Sequence, residues 1–191
     1  MNRLEKLLAP AVCLVLAAAC AGQPPAPAEP AEPAMSRTER GAYLVNAPGC
    51  HDCHTPFHIG PNGQPEPDMS RALSGHPEGM SLGAPPALDP ASGWAWVGAA
   101  TNTAFAGPWG ISYTANLTSD ENTGLGIWTE DMFLRAIREG KHMGTSRPIL
   151  PPMPWPMYRN LNDDDLKAIF AYLKSVPPIT NHVPEPVIAG Q

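Results

Sequence analysis

A chain of 191 residues has room for one ordinary domain, and its 25 prolines and 17 glycines, against only 16% charged residues, point to a small core wrapped in irregular backbone rather than a sheet-rich enzyme. Twelve basic and 18 acidic side chains leave a formal charge of -6. They form no basic stripe, which argues against nucleic acid as a partner.

Residues 1–19 read as a bacterial lipoprotein-type signal peptide. Arg3 and Lys6 precede an apolar run without charge, Leu7 to Ala19. That run is too short to span a bilayer as a helix, which takes about 20 residues. It ends in Leu16-Ala17-Ala18-Ala19-Cys20. This sequence resembles a lipobox, in which the cysteine is acylated and becomes the mature N-terminus, although Ala17 stands where leucine is usual. An ordinary secretory signal cut near Ala19 or Ala21 is the alternative. Both readings place the domain outside the cytoplasm, in the bacterial periplasm, and the first anchors it to a membrane through lipid on Cys20.

Residues 20–35 form a Pro/Ala-rich linker with no apolar periodicity. At about 3.1 Å per residue such a chain reaches roughly 40 Å, enough to hold a small domain off a membrane. Cleavage at Ala19 leaves ten basic and 17 acidic residues, a charge of -7. It also discards Cys13 and commits Cys20, so Cys50 and Cys53 are the cysteines left for chemistry.

A domain is expected over 36–178. Its first helix starts at Ser36, with Glu39 three residues on as a capping box. Gly41, Leu44 and Val45 share one face, and Pro48-Gly49 ends the helix. Then comes Cys50-His51-Asp52-Cys53-His54, the C-x-x-C-H spacing of c-type haem attachment. Two thiols three positions apart on one helical turn can each bond one vinyl group of a haem. The next residue, His54, then falls on one face of the iron as its proximal ligand. His51, between the cysteines, points away from the iron and reads as a surface residue. Rival readings are a redox dithiol, a zinc site using the cysteines with two of His51, His54 and His58, and a plain disulfide. No strand-then-helix unit precedes the motif, no second cysteine pair completes a zinc site, and so short a loop is a poor staple.

About 70 residues separate His54 from the next helix, and the stretch 60–127 reads as a long irregular loop. Trp94, Trp96, Phe105, Trp109 and Tyr113 are expected to pack on an apolar surface, such as the exposed edge of a haem. Asp120, Glu121 and Asn122 read as a polar turn rather than a cation site. Asn116-Leu117-Thr118 matches a glycosylation sequon, which the bacterial signal makes incidental. A second helix runs from Thr129 to Glu139 and closes at Gly140, with acidic residues in its first turn. A third spans Asn162 to Val176, carries an apolar stripe of Leu166, Ile169, Phe170 and Leu173, and stops at Pro177-Pro178. Residues 179–191 read as a C-terminal tail. No segment shows sustained alternation, so the expected fold class is all-α, three main helices around one haem.

The order of these elements resembles class I, monohaem cytochromes c. The resemblance rests on a glycine-bearing first helix, C-x-x-C-H, a middle helix, a Met-Pro loop and a last helix with Ala171-Tyr172-Leu173. More narrowly, Gly107-Pro108-Trp109-Gly110, Ala115-Asn116-Leu117-Thr118 and Leu150-Pro151-Pro152-Met153-Pro154-Trp155 are similar to cytochrome c domains found beside bacterial periplasmic dehydrogenases. The resemblance implies that the first and last helices cross closely at Gly41 against Tyr172. It also implies a methionine as distal iron ligand. Met153 is the choice, because Pro152 and Pro154 stiffen the backbone around it. Met157 is the near rival, Met132 and Met143 are further ones, and His142 would give bis-histidine ligation. The implied function is electron carriage rather than catalysis, with one covalent haem c cycling between Fe(II) and Fe(III). A periplasmic dehydrogenase, a membrane cytochrome or a terminal oxidase would be the partners. Two alternatives are a haem enzyme or sensor with an open sixth position and a haem-free metal-binding lipoprotein.

Overall fold

The computed structural model describes residues 34–190; the signal segment, Cys13, Cys20 and nearly all of the linker lie outside the described residues. Helix α1 (Arg37–Asn46) opens as its sequence dictates. The Ser36 hydroxyl accepts the Glu39 N–H at 3.2 Å, and Glu39 returns a carboxylate to the Ser36 N–H at 2.8 Å. Helix α3 (Glu130–Glu139) is capped by Thr129 and stopped by Gly140 in the left-handed region, φ +68°. Helix α5 (Asp163–Ser175) starts on the Asn162 side chain, with three aspartates in its first turn facing the positive end of the helix dipole. Two short helices complete the set, α2 (Cys50–His54) and α4 (Trp155–Tyr158).

These helices enclose one core built from Val45, Leu125, Phe133, Ile137, Leu166 and Leu173. Phe133 and Phe170 meet with ring centroids 5.3 Å apart, and Arg40 ties α1 to Asp165 of α5 at 2.9 Å. A full side chain of this size buried in such a core contributes roughly 1.5–3 kcal/mol. At the α1–α5 crossing there is no room for any side chain on Gly41. A Cβ there would intrude on the Ala168 carbonyl and lie 2.7 Å from Tyr172 Cβ. The expected Gly41–Tyr172 approach is present, and Ala168 shares it.

The all-α expectation is corrected by the stretch between α2 and α3. It holds strands β1 (Phe57–Ile59), β2 (Pro65–Pro67), β3 (Val97–Gly98), β4 (Ala104–Gly107) and β5 (Gly110–Tyr113), and β6 (Val187–Ile188) joins them from the far end of the chain. β1 and β2 pair antiparallel, and β3-β4-β5-β6 form a four-stranded antiparallel sheet. The fold is therefore mixed, with helices and two small sheets, and the long loop is not irregular throughout. Strands of two to four residues are too short to show an alternating pattern, which needs four to eight. The β4–β5 turn, Gly107-Pro108-Trp109-Gly110, uses Gly110 at φ +107°, where a Cβ would meet the β6 backbone.

Candidate cofactor site

Helix α2 is a single turn launched from Gly49. Its φ of +78° demands glycine, and the Asp52 carboxylate stands 2.6 Å from where a Cβ would be. One turn puts Cys50 and Cys53 on the same side, three residues apart. They line a cavity of about 750 Å³ together with His54 and, from the loop before α4, Met153. That volume lies within the range of roughly 300–1,000 Å³ typical of cofactor pockets. Its walls are largely apolar, with Leu117, Leu125, Phe133 and Ile137 among them.

His54 is 9% exposed, and its Nδ1 lies 2.8 Å from the Ala115 carbonyl oxygen. A carbonyl can only accept, so Nδ1 carries the hydrogen and Nε2 keeps its lone pair. Burial holds the His54 pKa below the ordinary histidine value, an effect that the Ala115 hydrogen bond opposes. The ring is thus neutral and oriented, as an iron ligand must be. Burial pushes the Cys50 thiol up to about 11 and moves Cys53 the same way. A reactive dithiol needs a lowered pKa, so that rival use of the pair is not favoured. Cys50 and Cys53 are not joined to each other, and among the described residues no group of three His, Cys, Asp or Glu side chains could hold a metal ion. Two protonated thiols, one neutral imidazole and a thioether around an apolar cavity fit a c-type haem.

The distal candidates separate by position. Met153 is partly buried and lines the cavity, whereas Met157 is 71% exposed and Met132 takes no part in the lining. Met143 and His142 also reach the cavity. The His142 ring stands edge-on to Trp128 at 5.2 Å, with Nδ1 3.3 Å from the Ser146 hydroxyl. His51 is half-buried rather than on the surface, its Nδ1 2.8 Å from the Thr55 hydroxyl. Of the loop aromatics, Trp96, Phe105 and Tyr113 line the cavity, while Trp94 is 73% exposed and Trp109 lies apart from the lining.

Several functional positions carry no sequence signal. Ala115 acts through its backbone oxygen. Ser112, three residues earlier on β5, donates its hydroxyl to the Pro151 carbonyl at 2.6 Å. One short segment thereby holds both His54 and the loop that presents Met153. Asp120 makes a turn, its Oδ1 accepting from the Asn122 N–H and from the Thr123 N–H and hydroxyl. Asn116 and Thr118 of the sequon are buried and hydrogen-bonded to each other.

No family model matches the chain. It is 37% identical over 76 residues to the gluconate 2-dehydrogenase cytochrome c subunit of Pantoea cypripedii, covering 39% of this chain and 17% of that protein. With the fructose dehydrogenase cytochrome subunit of Gluconobacter japonicus the identity is 28% over 156 residues, 81% of this chain and 24% of the relative. With the cytochrome c subunit of the quinone-dependent alcohol dehydrogenase of Komagataeibacter europaeus it is 32% over 143 residues, 73% and 24%. The chain thus spans a quarter or less of the length of these relatives, each of which is a cytochrome subunit of a dehydrogenase.

Proposed function

We propose that this chain is an extracytoplasmic, monohaem electron carrier of the class I cytochrome c type, tethered by lipid on Cys20. One haem c would be bonded to Cys50 and Cys53, with His54 and Met153 as its axial ligands. The observation that carries the reading is the convergence of two unpaired thiols, a neutral buried imidazole and a methionine loop on one apolar cavity. A bound haem supplies reversible one-electron chemistry at iron.

The remaining work falls to this chain's residues. The Ala115 carbonyl fixes the His54 tautomer, and Ser112 steadies the loop before Met153. The apolar walls keep water away and the local dielectric low, conditions in which neighbouring dipoles tune a potential strongly. With His54 and Met153 both holding its iron, a bound haem would offer no open position to a substrate, so the role would be electron transfer rather than catalysis. By likeness to its relatives, a dehydrogenase would be the donor; a periplasmic location for it, and a membrane cytochrome or terminal oxidase as acceptor, are what the resemblance to class I cytochromes c implies.

The test is expression of the full chain with cytochrome c maturation machinery, followed by pyridine haemochrome analysis and cell fractionation. One haem per chain should resist extraction, and the Cys50→Ala, Cys53→Ala double variant should retain none. The wild type should stay with membranes after a salt wash, and Cys20→Ala should not. A wild-type chain lacking covalent haem would overturn the reading.

A further inference from the structure

The stretch after α5 is fastened to the body by its own hydrogen bonds and contributes to the cavity wall. Asn116 Nδ2 donates to the Ile179 carbonyl at 2.8 Å, and the Ile179 N–H donates to the Thr118 hydroxyl at 3.2 Å. The Thr180 hydroxyl donates to Asp120 Oδ2 at 2.9 Å. Further on, Glu185 pairs with Arg147 at 2.9 Å, and β6 closes against β5. Between these fastenings, His182, Val183 and Pro184 line the cavity.

Asn181 is the deepest of the fastenings. It is 1% exposed, and its amide is saturated. Nδ2 donates to the carbonyls of Ser74 at 2.7 Å and His76 at 2.8 Å. Oδ1 accepts the Glu78 N–H at 2.7 Å and a guanidinium N–H of Arg71 at 3.3 Å. The two carbonyls flank Gly75, whose N–H donates to the carbonyl of His54 at 2.8 Å. Gly75 lies so close to the Thr114–Ala115 backbone that a Cβ would sit 2.6 Å from the Ala115 carbonyl carbon. The His76 N–H donates to the Thr114 carbonyl at 3.0 Å. Ala115 in turn accepts Nδ1–H of His54.

We infer that Asn181 is a positioning residue for His54, acting by clamping Ser74 and His76 around Gly75 and so fixing the backbone at Thr114–Ala115. The inference rests on the proposed haem role for its redox consequence, but its structural half stands without it. A loosened clamp weakens the Nδ1–H bond to Ala115. The imidazole then donates less to iron, and the midpoint potential rises.

The test compares wild type, Asn181→Leu and Asn181→Asp in the full chain. Asn181→Asp keeps the acceptor for Glu78 and Arg71 but sets a carboxylate oxygen, which cannot donate, against the Ser74 and His76 carbonyls, so it opens the clamp at that end if the leucine variant fails to fold. Amide exchange at Gly75 should accelerate roughly tenfold in Asn181→Asp, while Glu78 stays protected. In haem-loaded protein the midpoint potential should rise with both ligands retained in the spectrum. Unchanged Gly75 exchange overturns the inference, and so does an unchanged potential in a haem-loaded variant. If the wild type carries no haem, the functional reading falls while the exchange measurement still decides the clamp.

Discussion

At the residue scale, the site divides into side chains that would touch a cofactor and groups that only hold them. Met153 belongs to the first class by its place in the cavity lining, and its neighbour four residues on, 71% exposed, does not. A thioether stabilises ferrous iron and raises the potential. Met153→Ala should therefore lower the midpoint potential of haem-loaded protein and abolish the ferric iron–sulfur charge-transfer absorption. Met157→Ala should leave both unchanged. If Met157→Ala abolishes the band and Met153→Ala does not, the ligand assignment is reversed. The second class includes Ser112 and Ala115, which lie three residues apart yet reach the Met153 loop and His54 respectively. A hydroxyl on a strand and a main-chain oxygen have no motif, which is why C-x-x-C-H was legible in the sequence while its supports were not.

At the element scale, what could be read in the chain and what could not follow from element length. α1, α3 and α5 span ten to thirteen residues, long enough for caps and periodicity to agree. The sheets escaped because no strand among the described residues exceeds four residues, and β6 is separated from β5 by more than 70 residues of chain. Pairing at that distance is set by where the intervening helices deliver the chain, not by local pattern. Asn181 is hidden for the same reason. A single asparagine after a Pro-Pro helix stop reads as tail, and only the assembled fold shows it buried. The α1–α5 crossing offers a test in which two effects oppose. Replacing a helix-interior glycine by alanine normally gains about 1 kcal/mol from propensity. At Gly41 the new methyl would press on the Ala168 carbonyl, which is backbone and cannot rotate away. Overpacking of this kind costs roughly 1–3 kcal/mol, so the clash outweighs the gain. Gly41→Ala should lower the urea midpoint without changing the slope, and a variant as stable as wild type would show that the helices separate freely.

At the scale of the whole molecule, the stability of the fold should depend on pH through histidines kept neutral inside it. His76 is fully buried, and its two nitrogens have distinct partners. Nε2 donates to the Met80 carbonyl at 3.3 Å, which leaves Nδ1 to accept from the Thr103 hydroxyl at 2.9 Å. Thr103 in turn accepts from Thr101 at 2.7 Å, so the chain of hydrogen bonds runs in one direction. A proton on Nδ1 would oppose that order. Burial already holds the His76 pKa below the ordinary value, with Arg71 nearby pulling the same way and the Met80 bond opposing. Above about pH 6.5 the histidine is neutral in both folded and unfolded chains, and its environment adds no pH dependence. Below it the unfolded chain takes up a proton that the folded one refuses, so stability falls as pH falls towards the lowered folded value. His142 is shifted the same way by burial and by Arg147, with Glu185 opposing, and adds to the slope. Urea midpoints measured at pH 7 and pH 5 should therefore show a clear loss in the wild type. His76→Gln cannot titrate, so it should start lower at pH 7 yet lose less over the same interval. An equal loss in both proteins would place the titrating groups elsewhere, and a gain on acidification would reverse the sign and refute a neutral, buried His76.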